Sequence, residues 1–258
     1  MPDRRIDMRK YIALLFVLLP LAAIAQDEET DFTADRPGVT NSVDVLPMGR
    51  VQWETGIGFE RSKLDGPAVN TWTPHTSTLR WGFSDYAELR LQGSWLYESC
   101  EGEHTSGLSD VAIGTKVKLF DGWKAVPKMA LLANIFVPDS HSPYLPTHWG
   151  GQVSLAFQNE LASRLSLGYE GNMTWCDDAR PAYYYGAYLC FTLSDRWLLL
   201  TDAYHIHATD GSESWVQLGA AYQLTDRLQL DMSTDISLNH PNRYGNLNVG
   251  ISWQITKK

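Results

Sequence analysis

Leu228-Gln229-Leu230-Asp231-Met232-Ser233-Thr234-Asp235-Ile236-Ser237-Leu238-Asn239 is the stretch on which the fold turns. Leu228, Leu230, Met232, Thr234, Ile236 and Leu238 fall on one side, and Gln229, Asp231, Ser233, Asp235, Ser237 and Asn239 on the other. A period of two residues held this long is a strand with one apolar and one polar face. The last segment repeats it, with Leu247, Val249, Ile251, Trp253 and Ile255 against Asn246, Asn248, Gly250, Ser252 and Gln254. Earlier in the chain Val51, Trp53, Ile57 and Phe59 oppose Gln52, Glu54, Gly56, Gly58 and Glu60. Ala87, Leu89, Leu91, Trp95 and Tyr97 oppose Glu88, Arg90, Gln92 and Ser94. These segments run about 10–12 residues, the length a tilted strand needs to cross a bilayer.

The same reading places further strands over 71–82, 109–119, 128–137, 148–158, 165–175, 181–192, 197–207 and 215–224, about twelve in all. Tyr184, Tyr188, Leu198 and Leu200 blur the alternation in two of them. Tight connections recur in nearly the same letters: Gly82-Phe83-Ser84-Asp85-Tyr86, Leu161-Ala162-Ser163-Arg164-Leu165, Leu193-Ser194-Asp195-Arg196-Trp197 and Leu224-Thr225-Asp226-Arg227-Leu228, with Phe120-Asp121-Gly122-Trp123 a looser member. Short polar side chains there bond back to their own backbone and close the turn. Longer connections are expected over 61–70, 98–108, 138–147, 176–180, 208–214 and 240–244. Short turns at one end and longer loops at the other describe an antiparallel, up-and-down transmembrane β-barrel with periplasmic turns and extracellular loops. Closure follows because an unpaired strand edge cannot be hydrated inside lipid. Trp53, Trp81, Trp95, Tyr97, Trp123, Trp149, Trp175, Trp197, Trp215 and Trp253 fall near strand ends, where an interfacial girdle sits.

Composition agrees with this and excludes other classes. In 258 residues, 44% are hydrophobic and 20% charged, so the chain is not disordered. A formal charge of −9 argues against nucleic acid as a partner. The mean hydropathy of −0.25 excludes a bundle of membrane helices but not a barrel, where the two faces cancel in the average. Arg4, Arg5, Arg9 and Lys10 precede an apolar run over 11–24 that ends in Ala23-Ile24-Ala25 before Gln26. That order predicts a signal peptide over 1–25, cleaved after Ala25, and export to the outer membrane. Residues 26–48 read as an acidic periplasmic segment whose Asp35-Arg36-Pro37 hints at a return into the barrel mouth, with a flexible tail as the other reading. Residues 49–258 are the barrel.

Five groups of residues resemble one family in order and spacing: Ala34-Asp35-Arg36-Pro37-Gly38-Val39-Thr40; Gly49-Arg50-Val51-Gln52-Trp53-Glu54-Thr55-Gly56; Thr78-Leu79-Arg80-Trp81-Gly82; Glu88-Leu89-Arg90-Leu91; and Gly107-Leu108-Ser109-Asp110 with Gly114-Thr115-Lys116. The chain resembles the outer-membrane transporter family named for the MetA pathway of phenol degradation, over nearly its whole mature length. The resemblance implies a monomeric outer-membrane barrel with a transport role and names no substrate. The chain departs from the pattern of outer-membrane barrels by ending Trp253-Gln254-Ile255-Thr256-Lys257-Lys258 rather than in an aromatic residue.

If the apolar face meets lipid, the polar face lines the lumen. The candidates are Gln52, Glu54, Glu60, Arg80, Glu88, Arg90, Gln92, Lys116, Lys118, Glu170, Asn172, Asp202, Gln229, Asp231, Asp235, Asn246 and Asn248. Acids outnumber bases among them, so an open lumen would mildly favour cations or neutral polar solutes. Unlike charges could instead pair and close it. Three functions therefore stand side by side: a passive channel for small solutes, a closed structural or surface-interaction barrel, and an outer-membrane enzyme. The enzyme reading rests on His104-Thr105-Ser106-Gly107, which superficially resembles the His/Ser pairing of outer-membrane phospholipases but lies in an expected loop. His205 and His207 share one strand face at a spacing able to hold a metal, yet the alternation turns them outward without further ligands. No cofactor or metal is expected. Cys100 and Cys176 lie at expected loop ends and are placed to bridge, whereas Cys190 is mid-strand. Leu230→Arg is expected to be costly and Asp231→Asn tolerated.

Overall fold

A computed structural model describes residues 32–63, 66–177, 180–209, 211–240 and 244–256. The expected signal peptide lies outside the described residues. Among them the chain forms twelve antiparallel strands: β1 (Val51–Ser62), β2 (Val69–Ser84), β3 (Ala87–Cys100), β4 (Glu103–Trp123), β5 (Val126–Phe136), β6 (Gly150–Ala162), β7 (Leu165–Trp175), β8 (Ala182–Ser194), β9 (Trp197–Ala208), β10 (Gly211–Thr225), β11 (Leu228–Ser237) and β12 (Tyr244–Gln254). Each strand pairs with its neighbours in sequence, and β1 pairs with β12, Trp53 opposite Trp253 and Phe59 opposite Leu247, which closes the barrel.

The faces are inverted relative to a soluble barrel. Ile57, Leu91, Ile113, Ile135 and Met232 point outward and are each more than half exposed. Arg80, Lys116, Glu88, Gln52 and Asp202 point inward and are fully buried. Apolar side chains left on the outside make sense only against hydrocarbon, and the closed ladder leaves no strand edge unpaired there.

One end carries five turns of two residues each, at 85–86, 124–125, 163–164, 195–196 and 226–227; this is the turn end, where β1 begins and β12 finishes. The loop end departs from expectation at two connections. Residues 98–108 are not a loop: β3 and β4 run on and meet at Glu101-Gly102, both with positive φ (49° and 90°), the backbone a two-residue hairpin requires. Likewise β10 begins at Gly211, so most of the expected loop over 208–214 is strand. Cross-strand pairing continues past the apolar belt because nothing in the sequence stops it. At the turn end, Phe120-Asp121-Gly122-Trp123 belongs to β4, and the chain reverses at Lys124-Ala125.

Residues 137–149 form a genuine loop, and it bends inward. Ser142 donates to the Leu108 carbonyl (2.6 Å), and Tyr144 donates to Glu98 (3.1 Å) from across the loop end.

Candidate functional site

The half of the interior near the turn end is filled by the chain itself. Residues 32–50 leave the start of β1 and run through the barrel, with Thr40, Val43, Val45 and Leu46 buried. Val43 packs on Ala130, Leu132 and Ala156, small apolar residues on the inner faces of β5 and β6.

The polar wall around this segment is an ion-pair network. Arg80 on β2 donates to Glu88 through Nε (2.9 Å) and Nη2 (2.9 Å) and to Glu54 through Nη1 (2.7 Å). Its remaining N–H groups reach the carbonyls of Thr33 and Asp44 (both 3.3 Å). Lys116 on β4 places Nζ 2.8 Å and 3.0 Å from the two carboxylate oxygens of Asp35 and 3.2 Å from the Asp44 carbonyl. Arg90 on β3 pairs with Asp35 (2.5 Å) and Glu88 (3.0 Å). On the strands alone, Arg80, Arg90 and Lys116 face only Glu54 and Glu88; Asp35 supplies the missing negative charge. Burial pushes the Asp35 carboxyl up, but Lys116, Arg80 and Arg90 outweigh it and hold the group well below the usual carboxylate range.

The segment is tied down elsewhere too. Arg36 pairs with Asp231 on β11 (3.0 Å), and its carbonyl accepts from Gln229 (3.1 Å). Thr40 gives both its backbone N–H and its hydroxyl to Asp202 (2.8 Å each), and Asn41 donates to Glu170 (2.7 Å). Leu46 donates to Glu88 (2.7 Å). Room for the segment comes from inward-facing glycines: a Cβ on Gly82 would stand 2.3 Å from the Pro47 carbonyl oxygen, and one on Gly250 would stand 2.2 Å from the Arg36 guanidinium. A cavity of about 260 Å³ remains between the segment and the wall, lined by Pro37, Cys190, Leu198, Leu200, Ala221 and Gln229 among others.

The loop half has different chemistry. Tyr184, Tyr204, Trp215 and Tyr244, from β8, β9, β10 and β12, form a continuous arc on the inner wall. Ring centroids are 5.8 Å, 6.4 Å and 4.2 Å apart in turn. Tyr244 donates to Glu60 (3.0 Å) and Tyr204 to Asp235 (3.1 Å), while the Asn246 side chain joins Tyr244 (3.2 Å) and Asp235. Tyr184 touches both halves, because its hydroxyl lies 2.7 Å from that of Thr40.

Of the candidates read from the sequence, Gln52, Glu54, Arg80, Glu88, Arg90, Lys116, Glu170, Asp202, Gln229, Asp231 and Asp235 are buried. Glu60, Gln92, Lys118, Asn172, Asn246 and Asn248 are half-buried. The acids and bases do not form one mixed ring. Arg80, Glu88, Arg90, Lys116 and Glu54 converge on Asp35, whereas Glu60, Asp235 and Asn246 sit with the tyrosines; Lys118 instead pairs with Asp121 near the turn (2.9 Å).

The sequence reading missed the inner aromatic arc and placed Trp215 in the interfacial girdle. Trp215 is only 7% exposed and faces inward, between Tyr204 and Tyr244. Its signal was present: Trp215 is two residues from Gln217, on the same strand face. Tyr184, Tyr188 and Leu200 broke the alternation because they cover the buried segment rather than lipid. Ala130, Leu132 and Ala156 likewise face the buried segment, through Val43, rather than lipid. His205 and His207 each place Nδ1 against a serine hydroxyl of β10, Ser214 (2.9 Å) and Ser212 (2.6 Å). His104 is on β4 rather than in a loop, stacked on Tyr97 with centroids 5.4 Å apart. Cys100, Cys176 and Cys190 are free thiols, so the possible bridge does not form.

The fold matches solved outer-membrane barrels at low identity. The COG4313 outer membrane channel from Pseudomonas putida F1 shares 12% identity, covering 83% of this chain and 98% of that one, with a TM-score of 0.65. The NanC porin shares 7% identity over 79% and 100% of the two chains, with a TM-score of 0.55. The translocator domain of the autotransporter NalP from Neisseria meningitidis shares 13% identity over 79% and 87%, with a TM-score of 0.50. Comparison with curated protein sequences gives no match. Residues 34–255, from the start of the buried segment to the end of the barrel, match one family throughout, and the chain belongs to the family described as "Putative MetA-pathway of phenol degradation".

Proposed function

We propose that the protein is a passive outer-membrane channel for small solutes. In this reading a signal peptide is removed after Ala25, the turn end faces the periplasm, and the barrel stands as a monomer in outer-membrane lipid. Residues 32–48 then enter the barrel from the periplasmic side. The observation that carries the reading is the inversion of faces: Leu91, Ile113 and Ile135 are exposed outside a closed ladder whose inside is built from charged and amide side chains. A wall of that kind separates hydrocarbon from a polar column, which is what a pore needs. The outer-membrane channel and porin with a similar fold support the same reading. Gln52, Arg80, Glu88 and Lys116 hold the segment, and the inner-face residues beyond it, Glu60, Asn246 and Asn248 among them, are the lining that sets which solutes pass.

A second reading has a specific observation in its favour. The Asp35 network and the segment it anchors occupy the turn half, as a closed barrel would require. Planar-bilayer recording separates the two. The channel reading expects discrete openings from the mature protein and larger ones when residues 26–48 are deleted. A folded barrel that stays silent with and without the segment is a structural barrel, and the channel reading fails.

A further inference from the structure

Charge is segregated along the interior. Arg36, Arg80, Arg90 and Lys116 all lie in the turn half and are spent on Asp35, Asp231, Glu54 and Glu88. In the loop half, Glu60 and Asp235 are linked side by side: Tyr244 donates to Glu60 (3.0 Å) and accepts from Asn246 (3.2 Å), whose amide also donates to Asp235. No basic side chain is paired with either carboxylate among the described residues; their partners are the hydroxyls of Tyr244 and Tyr204 and the amide of Asn246. Arg61 on β1 is exposed and reaches Asn70 (3.5 Å) instead. The wall beside these carboxylates is the arc Tyr184–Tyr204–Trp215–Tyr244. Between Asp202 and Asp235 in register stands Gln217, 2% exposed, whose Oε1 is a buried acceptor with no donor.

We propose that the loop half of the interior is a binding site for a small organic cation, an ammonium group carried on an apolar or aromatic body. The ammonium lies among Glu60, Asp235 and the open acceptor of Gln217, and the body lies along the tyrosine wall. Each part of the site selects against an alternative. An anion meets uncompensated carboxylates. A neutral polyol needs donors as well as acceptors, and the hydroxyls of Tyr204 and Tyr244 already give theirs to Asp235 and Glu60. A bare metal ion gains nothing from the aromatic arc, whereas an organic cation is attracted by ring faces and buries apolar surface against them. The proposal names a solute class for the channel and rests on that reading for transport, but binding itself can be measured without conduction.

The test is calorimetric titration of the purified, folded barrel in non-ionic detergent with three probes of one shape: benzylammonium, benzyl alcohol and benzoate. Folding of every variant is checked by heat-modifiable mobility on a gel. The expected result is that benzylammonium binds at least about ten-fold more tightly than benzyl alcohol and that benzoate does not bind. In the Glu60→Gln, Asp235→Asn double variant the cation should fall to the level of the alcohol, while Trp215→Leu weakens both. Equal binding of cation and alcohol overturns the proposal, as does preference for benzoate, an unchanged ratio in the folded double variant, or no heat from any probe. Selective binding by a barrel that never conducts leaves this site standing and removes only the channel reading.

Discussion

Asp35 and Lys116 lie 81 positions apart in the chain and meet inside the barrel, Nζ to Oδ1, at 2.8 Å. The contact joins the segment before the barrel to β4, and through Arg80 and Arg90 it brings β2 and β3 into one network. Three buried bases and three buried acids balance only while the segment is docked. That makes the segment a structural part of the barrel interior.

Removing the Asp35 charge tests this directly. Asp35→Asn leaves Arg80, Arg90 and Lys116 against Glu54 and Glu88, and breaking a buried pair on one side typically costs about 3–5 kcal/mol. The barrel ladder does not depend on that contact, so the cost falls on docking. Proteinase K should cut the segment in the variant and spare it in the parent, while Glu101→Gln, at an exposed hairpin, changes nothing. Equal protection in all three would show that the segment is held by something other than this charge.

The same group sets a pH dependence. Burial raises the Asp35 carboxyl, and the neighbouring bases lower it further than burial raises it. A carboxyl depressed below its unfolded value of about 3.9 stabilises the docked state fully above that value. Its contribution is lost as pH falls through the folded value. Protection of the segment should therefore be flat from neutrality down to about pH 4 and fail only in stronger acid. A decline that begins near neutrality would assign control to another group.

Leu230 and Asp231 are neighbours on opposite faces of β11. Leu230→Arg should cost about 2–4 kcal/mol if it sits at the bilayer midplane, read from folding into vesicles in urea. Tolerance of Asp231→Asn, expected from the alternation alone, no longer follows, because Asp231 holds Arg36. The asparagine should leave barrel stability near the parent value yet loosen the segment. A barrel indifferent to Leu230→Arg would reverse the assigned faces.

Two glycines should differ in cost. A methyl on Gly82 meets the backbone carbonyls of Leu46 and Pro47, which cannot move without shifting the segment. Gly82→Ala should destabilise docking by about 1–3 kcal/mol, as overpacking does. The atoms nearest a methyl on Gly250 belong to the guanidinium of Arg36, the end of a flexible side chain, so Gly250→Ala should cost less. Protease protection ranks the two, and the reverse order would contradict the path of the segment.

The alternation of Leu228, Leu230 and Met232 with Gln229, Asp231 and Ser233 was enough to read the strands, their number and their two faces. Side-chain direction in a strand is local: it follows from the pleat. The turns at 85–86 and 226–227 were legible for the same reason, since a few neighbouring residues close them. The reversal after Gly102 was not, because whether β3 and β4 keep pairing beyond the bilayer depends on both strands together. Residues 32–50 have no period, and their course is set by partners that are distant in sequence.

Periodicity by itself therefore determined that this chain builds a barrel with an apolar outside and a polar inside. Only the tertiary structure decided what that inside contains. Pairing of Asp35 with Arg80, Arg90 and Lys116, and the gathering of Tyr204, Trp215 and Tyr244 beside Glu60 and Asp235, come from closure, which sets strands from opposite ends of the chain around one axis. A pattern of faces states which way each side chain points; which charge it meets across the barrel is a long-range fact.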